Sequence, residues 1–341
     1  MKWMFVPCTV ALLTGCGSEQ NLFEQKRTDN WEQAGNNQVD VLFVIDDSAS
    51  MAQEQDVLIA GFSSFAGRLE ASGTDFHLGV ITTSFDYDSP DRGVLIGDPP
   101  FLTAEDDYEA AFVERATVGI LGSDKEKGLE AAAFALHPLM NLPGGRNEGF
   151  VRANAKLLIV FVSDEEDCSD KGVLEGQPPS DCYLQSQLLP PVTEYITELR
   201  ELKDRPDLVQ VGAIVATEDS ACDNVFPGQR YITTALLTGG LVGDICQSDW
   251  SGILGELGLN ASGVLTSFQL SAAAVPDTLT VYVDEDEVVE DALQRWTYDP
   301  QTWFITFSDD AVPARGSVIA ASYTIQSGVP SPPGEASVGG D

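Results

Sequence analysis

The 341-residue sequence is 43% apolar and 21% charged, with 31 Gly and 18 Pro, which is the composition of a globular chain and not of a disordered, collagen-like or coiled-coil one. Its 18 Lys and Arg against 54 Asp and Glu give a net charge of −36, a field that repels polyanions and argues against nucleic acid as a partner. The same acidity suits cations or basic surfaces, but it also serves as a solvation device in salt or against aggregation, so charge alone assigns no function.

Met1-Lys2 followed by an apolar run from Trp3 to Leu13 reads as a secretory signal, too short to span a bilayer as a stable helix. The run ends in Leu13-Thr14-Gly15-Cys16, which resembles the bacterial lipobox. The resemblance implies a signal peptide over 1–15, diacylglyceryl transfer to Cys16 and a membrane held by a lipid anchor, with simple secretion as the alternative. Gly17 stands where the lipoprotein pattern uses Asp for inner-membrane retention, so the implied address is the outer membrane of a Gram-negative envelope. Acyl chains contribute roughly 0.8 kcal/mol of membrane affinity per buried methylene, so several chains hold the protein stably. Residues 16–38 are polar and lack an apolar period, which predicts a tether.

Four cysteines remain in an oxidising compartment, Cys168, Cys182, Cys222 and Cys246. They permit three connectivities, and the short local loops favour Cys168 with Cys182 and Cys222 with Cys246. A thiolate metal site is the competitor, but the sequence has no C-x-x-C spacing and neither His lies near a Cys.

From about residue 39 the pattern changes. Val41 to Ile45 is a continuous apolar run closed by Asp46, and similar runs recur at Leu78 to Thr82, Leu157 to Val162 and Val209 to Val215. Such runs predict strands buried on both faces of a parallel sheet. Between them, Leu58, Phe62, Phe65 and Leu69 share one face of a helix, as do Leu129, Ala132, Ala133 and Leu136, with Pro138 closing the second. The alternation predicts an α/β fold over 39–262, an open, mostly parallel sheet with helices on both faces. Its sites are expected at strand carboxyl ends near a topological switch point. After about Gly263 the alternating stretches Leu279 to Val283, Trp303 to Phe307 and Ser317 to Ile325 predict a small antiparallel β domain over 263–326, with Trp296, Tyr298, Trp303 and Phe304 in its core or cross-strand pairs. Residues 327–341, rich in Pro, Gly and Ser, read as a disordered tail.

Asp46 and Asp164 stand at two strand ends. The first opens Asp46-Asp47-Ser48-Ala49-Ser50, a D-x-S-x-S turn that projects one carboxylate and two hydroxyls, although Ser48 or Asp47 can equally serve as a helix cap. At this point VLFVIDDSASM resembles the first strand and metal-ion-dependent adhesion site of the von Willebrand factor A family. That resemblance implies two further loops. Ser123 in GSDKEKGLEAA takes the position of the family's Thr, five residues before Gly128, and Asp164 in LLIVFVSDEEDC takes that of its last Asp. YITTALLTGGLVGDIC is similar to the late helix and strand of such domains in bacterial surface lipoproteins.

Hydroxyl and carboxylate oxygens without sulfur or imidazole suit Mg²⁺ first, and Mn²⁺ or Ca²⁺ after it. The expected metal set is therefore Asp46, Ser48, Ser50, Ser123 and Asp164. The expected partner is a protein whose own acidic residue completes the ion's shell. The acidic run Glu165 to Asp167 is expected to be a solvated loop pinned by Cys168, Asp284 to Glu287 a hairpin tip, and His77 and His137 packing or capping residues. No G-x-S-x-G elbow, Walker loop or triad pattern is present, and Ser48 stands where aspartate-nucleophile phosphatases carry a second Asp. The expectation is therefore no enzyme. A metal-independent scaffold in an envelope complex is the alternative, with a hydrolase the remoter one.

Overall fold

The computed structural model describes residues 25–33, 37–288, 295–308 and 311–326. The signal, Cys16 and the 327–341 tail lie outside the described residues. Among the described residues, no helix is long and apolar enough to cross a membrane.

The chain runs β1 (Lys26–Glu32), β2 (Gln38–Ile45), α1 (Ala52–Ala71), β3 (Asp75–Thr82), α2 (Tyr108–Ala116), α3 (Gly128–Leu136), α4 (Pro138–Asn141), β4 (Lys156–Ser163), α5 (Asp181–Leu184), α6 (Val192–Arg200), β5 (Val209–Val215), α7 (Gln229–Leu237), β6 (Val242–Asp244) and α8 (Ser251–Ser262). It continues through β7 (Ser267–Gln269), β8 (Thr280–Val283), β9 (Asp286–Val288), β10 (Trp296–Asp299), β11 (Phe304–Phe307) and β12 (Val318–Thr324).

The main sheet has the order β3-β2-β4-β5-β6, with every pair parallel. An isolated antiparallel bridge between Leu78 and Leu102 borders it beside β3. Because side chains alternate across a strand, β2 feeds both cores: Val41, Phe43 and Ile45 face α1, α2 and α8, whereas Leu42 and Val44 face α3, α6 and α7. The expected face of α1 is buried in full, and its Phe62 and Phe65 rings meet Phe43 edge-on at 6.2 and 5.4 Å. At the amino end of the sheet a wholly buried Asp40 accepts hydrogen bonds from the Arg152 backbone N–H at 2.8 Å, Arg152 Nε at 2.8 Å and Lys203 Nζ at 2.7 Å.

Two further sheets are antiparallel, β1-β12-β8-β9 and β10-β11-β7, and they enclose a core containing Trp296, Trp303, Ile305 and Tyr323. Tyr298 packs against that core and Phe304 pairs across to Gln269. The hairpin tip is Asp284-Glu285, with left-handed φ of 52° and 73°, as a two-residue turn between strands requires. Two expectations need correction. The tether over 16–38 is not wholly a tether, because Lys26–Glu32 is a strand paired with β12 from Lys26–Thr324 to Glu32–Val318. Its polar, largely exposed side chains conceal it from a hydrophobic-period reading, since backbone hydrogen bonds rather than burial hold it.

Both expected disulfides, Cys168–Cys182 and Cys222–Cys246, are present. The acidic run Glu165 to Asp167 differs from expectation: Glu165 and Glu166 are partly buried and Asp167 is wholly buried, not solvated, as is Asp170 just beyond Cys168. Asp167 Oδ1 accepts Leu129 N at 3.1 Å and Ser169 Oγ accepts Glu130 N at 2.8 Å, so this loop satisfies the free amides of the first turn of α3. Arg230 Nε donates to Asp167 Oδ2 at 2.8 Å, and Lys127 Nζ donates to Asp170 Oδ1 at 2.9 Å. Gly128 opens α3 against Tyr231, whose Oη would stand 2.4 Å from a Cβ at that position.

Candidate metal centre

The chain leaves β2 for β3 on one side and returns to β4 on the other, so the switch point lies between β2 and β4, and its carboxyl end opens beside Asp46 and Asp164. Asp46 extends the ladder by one residue, its N–H donating to Val162 O at 2.9 Å. Its side chain is wholly buried, and both oxygens are engaged: Oδ1 accepts Ser48 N at 2.8 Å and Oδ2 accepts Ser163 Oγ at 2.6 Å. Gln55 Nε2, from the first turns of α1, donates to Asp46 O at 3.0 Å and closes the turn from behind.

Within that turn Ser48 Oγ and Ser50 Oγ stand 3.2 Å apart, and Ser50 hydrogen-bonds the Asp164 carboxylate. No side chain caps α1, whose cap residue is Met51. The hydroxyls thus face the carboxylates and not the helix amides. Asp164 is 2% exposed, and its Oδ1 has no hydrogen-bond partner. Asp46, Ser48, Ser50 and Asp164, drawn from two separated turns, are therefore brought together.

Ser123 is placed differently. Its Oγ accepts Lys125 N at 3.0 Å and donates to Lys125 O at 3.3 Å, while its N–H donates to Ser84 Oγ at 2.8 Å. Ser84 Oγ in turn donates to Asp47 Oδ1 at 2.8 Å, so the Ser123 loop joins the D-x-S-x-S turn through Asp47. Gly122 N donates to Asp47 O at 2.7 Å, and a Cβ on Gly122 would stand 2.2 Å from Asp47 Cγ, which explains the glycine. Two side chains of this loop are buried: Lys127, which turns to Asp170, and Glu126, 1% exposed, which accepts a hydrogen bond from Thr83 Oγ1 at Oε2 and has no partner at Oε1.

Burial is the first cause of every pKa shift here, because it disfavours the charged form of a carboxyl. It pushes Asp46 up to about 6, against the lowering hydrogen bonds from Ser163 and Ser48. Asp47 and Asp164 move upward for the same reason, Glu126 goes well up with Asp46, Asp47 and Glu165 as charged neighbours, and Glu165 reaches about 7. These are oxygens gathered at a cost in electrostatic free energy, the condition that a cation relieves. Among the described residues, no group of three His, Cys, Asp or Glu side chains is poised to hold a metal ion; the oxygens beside these carboxylates are the hydroxyls of Ser48 and Ser50.

Glu126, Ser163 and Thr83 were not singled out from sequence. In GSDKEKG five polar side chains, Ser123 to Lys127, precede Gly128, and nothing in their spacing says which turns inward. Beside the centre lies an open cleft of about 620 Å³ lined by Asp47, Ser84, Arg92, Ser123, Lys125 and Glu175, among others. Leu121, almost fully exposed, stands at its rim. On the other side the half-exposed rings of Tyr183 and Phe226 meet at 5.5 Å, and Phe226 N donates to Asp164 O at 2.7 Å. His77 Nδ1 lies 2.9 Å from Phe150 O, and His137 Nδ1 accepts Leu139 N at 3.2 Å, so both histidines pack or cap away from the centre.

No family model and no curated protein matches the chain. Among solved structures, it is similar to a von Willebrand factor type A protein from Catenulispora acidiphila, at 12% identity and a TM-score of 0.40 over 89% of this chain and 66% of that one. It is also similar to the pilus adhesin SpaC from Lactobacillus rhamnosus GG, at 12% identity and a TM-score of 0.47 over 88% of this chain and 41% of that one. The chain thus spans less than two thirds of the length of either. The strand order, the helices on both faces and the D-x-S-x-S turn facing Asp164 at the switch point carry the assignment. By that arrangement the fold is von Willebrand factor A-like. Within this von Willebrand factor A-like sheet the candidate centre occupies the carboxyl end, and the buried Asp40 ion network occupies the opposite end.

Proposed function

We propose that the protein is a cell-envelope lipoprotein, anchored through Cys16 in the outer membrane, that binds a protein partner through a divalent cation at Asp46, Ser48, Ser50 and Asp164. The observation that carries this reading is the buried Asp164 Oδ1, which lacks a hydrogen bond beside two serine hydroxyls, because a buried oxygen without a donor costs about 1–3 kcal/mol unless something else meets it. Oxygen donors of this hardness fit Mg²⁺, with Mn²⁺ and Ca²⁺ as alternatives. The bound ion supplies a local positive charge on an otherwise acidic surface, to which a partner's Asp or Glu can add. In this reading the chain's own residues bind and position; none acts as nucleophile or general acid.

A second reading, a metal-independent scaffold, draws support from the Ser48–Ser50–Asp164 hydrogen bonds, which hold the turn without an ion. Isothermal calorimetry of the full chain with MgCl₂, MnCl₂ and CaCl₂ separates the two. Saturable uptake that Ser50→Ala and Asp164→Asn abolish, with unchanged circular dichroism, supports the cation site. No uptake of any of the three ions by the folded chain removes it and leaves the scaffold.

A further inference from the structure

The third loop of the centre presents an acidic side chain where the resemblance to the von Willebrand factor A family leads one to look for a hydroxyl. Glu126 is 1% exposed, and of its two carboxylate oxygens one accepts from Thr83 Oγ1 while the other, Oε1, has no donor. Its backbone is fixed on both sides: Lys127 N donates to Thr83 O at 3.0 Å, and Cys168 N donates to Glu126 O. The side chain is therefore held in place by β3 and by the disulfide-bonded loop, and is not free to swing to solvent. Thr83, which donates to Glu126, gives its own N–H to Ile45 O at 3.1 Å and so sets Glu126 beside the Asp46 turn, where its neighbours include the acidic Asp46, Asp47 and Glu165. Among the described residues, no Lys or Arg pairs with it, although Lys125 and Lys127 flank it in sequence, because both of those ammonium groups turn to Asp170, at 3.4 and 2.9 Å.

A buried carboxylate surrounded by carboxylates with one oxygen unmet is the inverse of what stable interiors tolerate, in which buried charges are paired or coordinate metals. Ser123, by contrast, has its Oγ engaged as both donor and acceptor within its own turn and gains nothing from an ion. We propose that Glu126, and not Ser123, is the third loop's ligand for the cation. The proposal rests on the cation-site reading above and adds a residue to it.

The shell then differs in charge from one whose third loop offers a neutral hydroxyl. Both oxygens of Asp46 already accept hydrogen bonds, whereas Glu126 Oε1 and Asp164 Oδ1, like Glu54 Oε2 on α1, have no donor; Glu126 and Asp164 as direct ligands bring two negative charges to a divalent ion. A neutralised ion is retained more firmly before a partner arrives and attracts a partner's carboxylate less strongly than a charged one. The protein is thus suited to hold its cation constitutively and to release partners readily.

The test is calorimetric titration of the full chain with MgCl₂, MnCl₂ and CaCl₂ for wild type, Glu126→Gln, Glu126→Asp and Ser123→Ala. Glu126→Gln is expected to weaken uptake at least tenfold and Ser123→Ala to change it less than about threefold. Glu126→Asp, which keeps the charge but shortens the reach, falls between and covers the case in which the amide variant fails to fold. Wild-type uptake with equal affinity in Glu126→Gln, or a loss confined to Ser123→Ala, overturns this inference alone. Absence of uptake by wild type overturns the cation site itself and this inference with it.

Discussion

Replacing Asp46 by Asn tests the electrostatics of the centre without changing its shape. Asn retains an oxygen to accept Ser48 N, and its amide can donate to Ser163 Oγ once that hydroxyl turns to Glu165 O, 3.2 Å away. Burial pushes the Asp46 carboxyl from 3.8 up to about 6. A carboxyl whose folded pKa exceeds its unfolded value binds more protons folded than unfolded, so stability falls as pH rises through that interval, and the loss is complete above it. A shift of this size corresponds to roughly 3 kcal/mol, expressed in full at pH 8 and almost absent at pH 3.5. Urea denaturation of wild type and Asp46→Asn, in chelator, at steps from pH 3.5 to 8 reads the difference directly and cancels the slope that the chain's overall charge imposes on both. The variant is expected to equal wild type at the acid end and to exceed it by about 2–3 kcal/mol at pH 8. Adding a divalent cation at about a hundred times its dissociation constant should restore about 2.7 kcal/mol to wild type and little to the variant. Parallel stability profiles across the whole range, in chelator, would refute the claim that burial of this charge strains the apo centre.

At the other end of the sheet, Asp40→Asn leaves the wholly buried Lys203 ammonium and the Arg152 guanidinium without their shared anion, and an unpaired buried charge is expected to cost about 3–5 kcal/mol in chemical denaturation. Cation affinity of the molecules that remain folded should match wild type, because that network lies at the far end of β2 from Asp46. Cys16→Ser is expected to move the protein from the membrane to the soluble fraction of cells expressing it; unchanged fractionation would contradict the lipid anchor.

The parallel sheet was legible in the sequence because its strands are buried on both faces, so that Val41 to Ile45 and Leu157 to Val162 are unbroken apolar runs. The D-x-S-x-S turn and Asp164 were legible because a strand end fixes where the next residue points. What escaped is what depends on loops and on polar strands. Strand β1 carries no apolar alternation, and its pairing with residues nearly 300 positions away leaves no local trace. Ser123 and Glu126 lie in one loop, and only the ties of Lys127 N to Thr83 O and Cys168 N to Glu126 O decide which of the two faces the core. Likewise Asp167 reads as a surface acid until Arg230, 63 residues later in the chain, and the amides of α3 are brought beside it.

The pairing of β1 with β12 has a mechanical corollary. Strand β1 precedes the parallel sheet in sequence, and its seven residues are zipped along the carboxy-terminal β module. A pull applied on the amino-terminal side of β1 is carried first by that ladder. The load is thereby shunted into the small module, and the oxygen cluster at the far end of β2 is shielded from a pull that would otherwise reach it along the backbone.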